Sequence, residues 1–463
     1  MKSKLQTTIK KTNQQNWKDL YQFYKQISSY QDISNISKYC EKHDLYFRKL
    51  DNGIKFFATL SSSSDIKTAT TKVIYETGSL RDPIGKEGLH HLYEHLSLSM
   101  DLEKFASGHA QNINAYTSLS ELCTLNMTGI WNSEYPTFGH LETFKYFVKN
   151  IFDDNHIDEK FFAEQIAVIN GEISESEVNV SRILARHLNK EIFGKDSNRC
   201  LEVLGTRKSL LAISYDDVKN FTKSYLGTTN MVVLLYVTGS DADFDKISKE
   251  YLKELSKIPK VSQGDYTKDL VLDSVKSLKN LSRRKSVEVP SFKKGLTDVN
   301  LLYPMNITAF TKEAIAFGIV AKVISNVFFA KFRKYGLKSY SQSANSSLFD
   351  YKYRTLWLSC TIEDEDLSLA EETLMKTLDD ILLDQLYIEQ AINLQYTNEL
   401  AFPISKFDNL YDLYYDISVF GDIYMDIEKY KDFRRHLKYA DFENVISMIK
   451  KTNPYSIHIH QKM

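Results

Sequence analysis

The chain has 463 residues, 43% of them hydrophobic, with 59 Lys and Arg balanced by 60 Asp and Glu for a net charge of −1. That length exceeds what one hydrophobic core organises, so at least two domains are expected. The balanced charge argues against a nucleic-acid partner, and the longest apolar run, around 231–237, is too short for a membrane span.

The four cysteines, Cys40, Cys123, Cys200 and Cys360, are scattered without knuckle spacing and read as reduced thiols. No apolar stretch follows the N-terminal lysines, which excludes an ordinary secretory signal. Residues 1–16 lack acidic residues but also lack arginine, so a cytoplasmic location is expected over the mitochondrial matrix.

In chain order, residues 1–44 read as an N-terminal extension, helical over the aromatic-rich 17–39. Alternation predicts strands over 54–58 and 73–75. A helix follows, with Leu89, Leu92, Tyr93 and Leu96 as its apolar side and Gly85 and Gly88 marking an irregular approach. His91 and His95 sit at i and i+4 on that helix, so both rings project from one face and can hold one ion. Glu94 is too close on the same turn to be a third ligand but is placed to take a proton from metal-bound water, the pattern of a zinc hydrolase. His90, five residues before His95, points away and reads as a packing or supporting residue.

A strand region over 119–130 leads to helices that run from an N-cap at Asp158 to about Tyr225. Phe162, Ile166, Ile169 and Ile173 form an apolar stripe, and Glu172 borders it. A carboxylate facing the packed side is costly unless compensated, which makes Glu172 the candidate for the third protein ligand that a catalytic zinc requires. Glu175 and Glu177 point further round and read as solvated.

The strand from Met231 completes a domain over 45–256, and 257–292, with its Lys, Ser, Pro259 and Pro290, reads as a linker. Arg283, Arg284 and Lys285 are taken as solvated linker charge. The second domain, 293–463, has a strand over 299–303, a long apolar helix over 311–334 and a strand region over 340–362. Helices over 367–383 and 388–400 and a last strand over 455–459 follow. His458 and His460 read as solvent-facing residues of an edge strand rather than ligands. Both domains are α+β, each with one sheet and helices packed on it.

The order His91, Glu94, His95 and, in a distant helix, Glu172 resembles the inverted zinc motif of the pitrilysin and insulinase metallopeptidases. Within that family the chain resembles the short two-domain type, such as the mitochondrial processing peptidase β subunit and bacterial homologues. Leu50-Asp51-Asn52-Gly53-Ile54, Gly78-Ser79, Gly88-Leu89, Asn114-Ala115-Tyr116-Thr117-Ser118, Leu204-Gly205, Tyr225 and Asn230-Met231 fall where this family has similar words. Phe332-Arg333, Gly336-Leu337 and Tyr340 resemble its arginine and tyrosine signature.

The resemblance implies half of a peptidase clamshell, built of two related domains with mostly antiparallel sheets. It further implies one zinc ion per chain held by His91, His95 and Glu172, with Glu94 as general base. Arg333 and Tyr340 would hold substrate and its developing oxyanion, and Asn114, Ala115 and Tyr116 would form an edge strand on which a peptide adds. The function so implied is a zinc endopeptidase of peptides or unfolded protein, expected as a homodimer. Its alternatives are the catalytic half of a precursor-processing heterodimer and a non-catalytic scaffold subunit. One departure stands out: Gln165 occupies a position where family members often carry a glutamate.

Overall fold

Apolar runs become strands of two sheets in the computed structural model, which describes residues 40, 44–64, 67–98, 112–129, 141, 144, 145, 148, 157–194, 200–263, 284–289, 292–308, 311–350, 353–383, 389, 390, 392, 393, 410, 411, 414 and 432–461. The expected helix over 17–39 and most of the one over 388–400 lie outside the described residues.

The first sheet contains β1 (Leu45–Lys49), β2 (Lys55–Ser62), β3 (Thr68–Tyr75), β4 (Asn112–Thr117), β5 (Leu122–Gly129) and β6 (Met231–Gly239), in the order β1-β2-β6-β3-β5-β4. Among the described strands of this sheet, β2 and β6 pair in parallel and the other pairs are antiparallel. The uninterrupted apolar run of β6 follows from its central place, since both of its faces are covered. Val233, Leu235 and Val237 share one core with Tyr46, Val73 and Tyr75, while Val232 and Leu234 face a second cluster with Phe57, Ile74 and Cys123. The longer helices of this half of the chain are α1 (Leu89–Ser97), α2 (Glu159–Val178), α3 (Val180–Phe193) and α4 (Asp241–Ser256), with short helices at Arg207–Leu211, Tyr215–Lys219 and Phe221–Tyr225. Leu89, Leu92 and Leu96 of α1, Ile169 and Ile173 of α2 and Phe244 of α4 all enter the first core.

The second sheet has β7 (Arg284–Val289), β8 (Leu296–Asn306), β9 (Ser341–Asp350), β10 (Tyr353–Glu363) and β11 (Tyr455–Gln461), ordered β7-β11-β8-β10-β9 with β7 and β11 parallel and the rest antiparallel. Helices α5 (Lys312–Phe332), α6 (Leu367–Leu383) and α7 (Tyr439–Lys451) cover one face, where Phe317, Ile324, Leu374 and Val445 meet Val299, Leu301 and Leu358. The α+β class with two mostly antiparallel sheets is therefore borne out.

Three sequence expectations are corrected. Residues 284–289 are a strand, not linker: Val287 and Val289 are buried beside Ile457 and Ile459, and Lys285 pairs with Glu191 at 2.6 Å. Because β7 covers its flank, β11 is not an edge strand, and His458 is 3% exposed, bonded to Glu371 at 2.6 Å and to Ser456 at 3.1 Å. His460 bonds Ser286 on β7 at 2.6 Å. The run 231–237 is also not the longest apolar segment: the helix Lys312–Tyr335 is long and apolar enough to cross a membrane by composition. Its buried residues belong to the second core, as in the central helix of a packed domain.

By packing, the chain forms two units that interleave in sequence. The first comprises Met1–Ile173, Leu201–Leu272 and Ile404–Ile423, and the second Ser174–Cys200, Asp273–Pro403 and Tyr424–Met463. Helix α3 belongs to the second because Ile183, Leu184 and Leu188 pack on Val287 and Ile457.

Candidate metal centre

The motif helix is held in place before any chemistry is considered. Its N-cap, Gly88, has φ +100°, and a Cβ there would lie 2.7 Å from the Leu204 carbonyl oxygen. Gly205, φ +69°, faces it so closely that a Cβ would stand 1.9 Å from the Glu87 oxygen. Two backbones thus touch, which only glycine on both sides permits. Asp82 reaches the helix start: its carboxylate accepts from Gly88 N at 2.7 Å, His90 N at 3.0 Å and His90 Nδ1 at 2.6 Å. His90 Nε2 lies 3.0 Å from the Thr77 hydroxyl, and its ring packs edge-on against Phe221 and Tyr225. Both ring nitrogens are engaged away from the motif face, so His90 is the supporting residue expected.

On the other side of α1, His91 and His95 stand with ring centroids 4.7 Å apart. Donor atoms of His91, Glu94 and His95 all lie within 4.8 Å of one another. The apolar stripe of α2 brings Glu172 to them: Oε2 is 3.0 Å from His91 Nε2 and Oε1 is 3.4 Å from His95 Nε2. Glu172 therefore converges with the two imidazoles. Glu175 and Glu177 are exposed further along the same helix, as expected.

The Nδ1 atoms are occupied in complementary fashion. His91 Nδ1 faces Glu94 Oε2 at 3.2 Å, and His95 Nδ1 donates to Gln165 Oε1 at 3.0 Å. Carboxylate and amide oxygens only accept, so a proton on each Nδ1 satisfies these two oxygens, and Nε2 is the atom turned toward Glu172. Gln165 thus fills the supporting place that its identity had put in question. Burial opposes charge on His91, but the hydrogen bonds and charges of Glu94 and then Glu172 outweigh it and hold the imidazole above its ordinary value. On Glu94 burial acts upward, and the bond and charge of His91 with help from Thr117 outweigh it, leaving the carboxyl low. Two imidazole nitrogens and one carboxylate oxygen converge here, a donor set that a catalytic zinc would fit.

The other expected residues are placed as follows. Asn114, Ala115 and Tyr116 lie on β4, the edge of the first sheet, with Asn114 exposed and Ala115 buried. Thr117, at the end of β4, approaches the His90 carbonyl at 3.5 Å. Arg333 and Tyr340 belong to the second unit. Arg333, exposed after α5, lies over the Phe329 ring at 4.4 Å. Tyr340 is 69% exposed, and its hydroxyl donates to Glu363 at 3.2 Å. Asp82, Thr77 and Glu121 carry no sequence expectation; each works through contacts between distant turns, which no local spacing marks.

Residues 212–394 match the family description "Peptidase M16 inactive domain", a stretch that begins after Glu172. No curated protein sequence matches the chain. Among solved structures, the periplasmic protease PqqL from Escherichia coli is similar at TM-score 0.67 and 15% identity, over 90% of this chain and 48% of that one. The chain thus spans about half of that relative's length. A putative M16-like peptidase from Alicyclobacillus acidocaldarius (TM-score 0.62, 14% identity) and a protease from Helicobacter pylori (0.63, 16%) are each matched over 90% of this chain and 98% and 99% of theirs. Residues 212–394 carry the M16 inactive-domain signature, and the chain has the fold of the M16-like peptidases.

Proposed function

We propose that the chain is a zinc-dependent endopeptidase acting on peptides or unfolded segments. The observation that carries the reading is the convergence of His91 Nε2, His95 Nε2 and the Glu172 carboxylate, with Glu94 beside them. His91, His95 and Glu172 would hold one ion per chain. Zinc, when bound, supplies Lewis acidity that polarises a carbonyl and acidifies water. Glu94, buried against His91, is the base that accepts the proton and returns it to the leaving amine. Gln165 and Glu94 hold the two Nδ1 protons so that the rings keep one orientation.

Asn114, Ala115 and Tyr116 lie on β4, the outermost strand of the first sheet among the described residues, on which an extended peptide would add through backbone hydrogen bonds, a mode that tolerates many sequences but needs an unfolded substrate. As partner we propose a second copy of the chain, whose Arg333 and Tyr340 stabilise the oxyanion. A heterodimer with a homologous subunit would use the same surfaces. The deciding test is elemental analysis of the purified protein together with digestion of a peptide mixture. One zinc per chain is expected, with cleavage that disappears in Glu94→Gln while the metal stays. A second reading, a non-catalytic scaffold subunit, is favoured by the inactive-domain match over 212–394. Absence of cleavage by wild-type protein under zinc-loaded conditions would decide for it.

A further inference from the structure

The turn between β4 and β5 carries a buried acid that zinc chemistry does not use. Glu121 is 3% exposed, and its carboxylate accepts hydrogen bonds from three phenols. Tyr414 donates to Oε1 at 2.8 Å, and Tyr411 and Tyr116 donate to Oε2 at 2.9 and 3.4 Å. Tyr116 sits on β4 itself. Tyr411 and Tyr414 come from far downstream, yet their segment, Ile404–Ile423, belongs to the first unit. Their rings meet edge to face at 5.5 Å, and Tyr414 is fully buried against Phe57. The Lys72 ammonium lies 5.0 Å from the Tyr411 ring and 6.0 Å from the Tyr116 ring.

A wholly apolar cluster of this size would stabilise the sheet at least as well, because a buried carboxylate costs desolvation that its partners only return. What a polar cluster adds is direction. Each phenol must point at Glu121, so the carboxylate sets where Tyr116, and with it the β4 backbone, can lie. The same turn is held from its other side, where Ser79 N and Leu80 N donate to the Ser118 and Leu119 carbonyls at 3.1 and 3.0 Å.

We infer that Glu121 is a positioning residue for the edge strand β4, acting through Tyr116, and that the Tyr411 and Tyr414 phenols hold its carboxylate in place. This rests on reading β4 as the strand to which substrate adds. A strand already fixed in its bound shape loses less conformational freedom when a peptide pairs with it, so loosening the phenol–carboxylate contacts weakens binding rather than the chemical step.

The test uses the full-length, zinc-loaded Glu94→Gln protein as parent and a fluorescein-labelled unstructured peptide as probe. Peptide affinity is read by anisotropy and hairpin order by amide exchange. Glu121→Gln is expected to weaken peptide binding about tenfold, the effect of removing charge-assisted bonds. It should speed exchange within 112–124 without spreading over β2, β3 and β6. Tyr116→Phe added to Glu121→Gln should cost nothing further, because the two act on one path. Tyr411→Phe, which keeps the carboxylate, gives the same direction more weakly and serves if Glu121→Gln does not fold. Binding and exchange within twofold of the parent, acceleration spread over the whole sheet, or effects of Glu121→Gln and Tyr116→Phe that multiply would each overturn the inference. A parent that binds no peptide, while Glu121→Gln still speeds hairpin exchange, would overturn the substrate role of β4 and leave the Glu121 cluster purely structural.

Discussion

Replacing Asp82 tests how the motif helix is held. Two carboxylate oxygens serve three donors, Gly88 N, His90 N and His90 Nδ1, at 2.7, 3.0 and 2.6 Å, and the Asp82 and His90 side chains are 1% and 0% exposed. Asparagine keeps the size and one acceptor, but it points an N–H group at a donor that then has no partner. Hydrogen bonds to a charged group contribute about 1.5–3 kcal/mol each, and a buried donor left unmatched costs a further 1–3, so Asp82→Asn should lose about 3 kcal/mol. For a unit of this size that lowers the thermal midpoint by roughly 6–12 °C, and Asp82→Ala, which removes all three bonds, should lower it further. Calorimetry on the full chain measures the shift. Because α1 carries His91 and His95, the same variants should also release zinc more readily to a competing chelator. Midpoints within about 2 °C of wild type for both variants, with zinc retention unchanged, would refute the idea that Asp82 anchors the helix.

Three further outcomes are expected. His91→Ala, His95→Ala and Glu172→Ala should each lose zinc by elemental analysis while Glu175→Ala keeps it, since only the first three face the shared centre; full zinc binding by Glu172→Ala would remove it from the ligand set. If two copies complete each other's sites, Glu94→Gln and Tyr340→Phe proteins should each be weak alone, yet a co-folded mixture should regain about a quarter of wild-type activity, because half the dimers are mixed and each has one intact site. No recovery in dimers shown to have exchanged subunits would rule out completion across the dimer. Burial acts upward on Asp217, but the bond from Lys86 and those from Ser214 outweigh it and hold its carboxyl low, tying the loop before α1 to the helix Tyr215–Lys219. Its folded value lies below the unfolded one, so the stability it adds is fully present above about pH 4–5 and fades as pH falls through the folded value. The midpoint difference between wild type and Asp217→Asn should therefore shrink on acidification, and a difference that grows would reverse this account.

Local spacing was enough for part of this protein. His91 and His95 share a face because a helix repeats every 3.6 residues, and Glu172 borders a stripe whose burial follows from the same period. The apolar runs of β6 and β8 likewise state that both faces of those strands are covered. What a local pattern cannot carry is the identity of the neighbour. His458 reads as exposed by alternation, and only the parallel pairing of β7 with β11 buries it. Residues 284–289 read as linker because Val287 and Val289 have nothing to bury against until β11 and α3 arrive. Asp82, Gln165 and Glu121 acquire their roles in the same way, from donors on other turns and distant segments. Sequence alone determined which side chains could bind a metal and which faces must be covered, since both depend on residue type and period. The tertiary structure decided which nitrogen of each imidazole faces Glu172 and which distant phenols hold the edge strand. Those depend on contacts between segments whose separation along the chain carries no information about their distance in space.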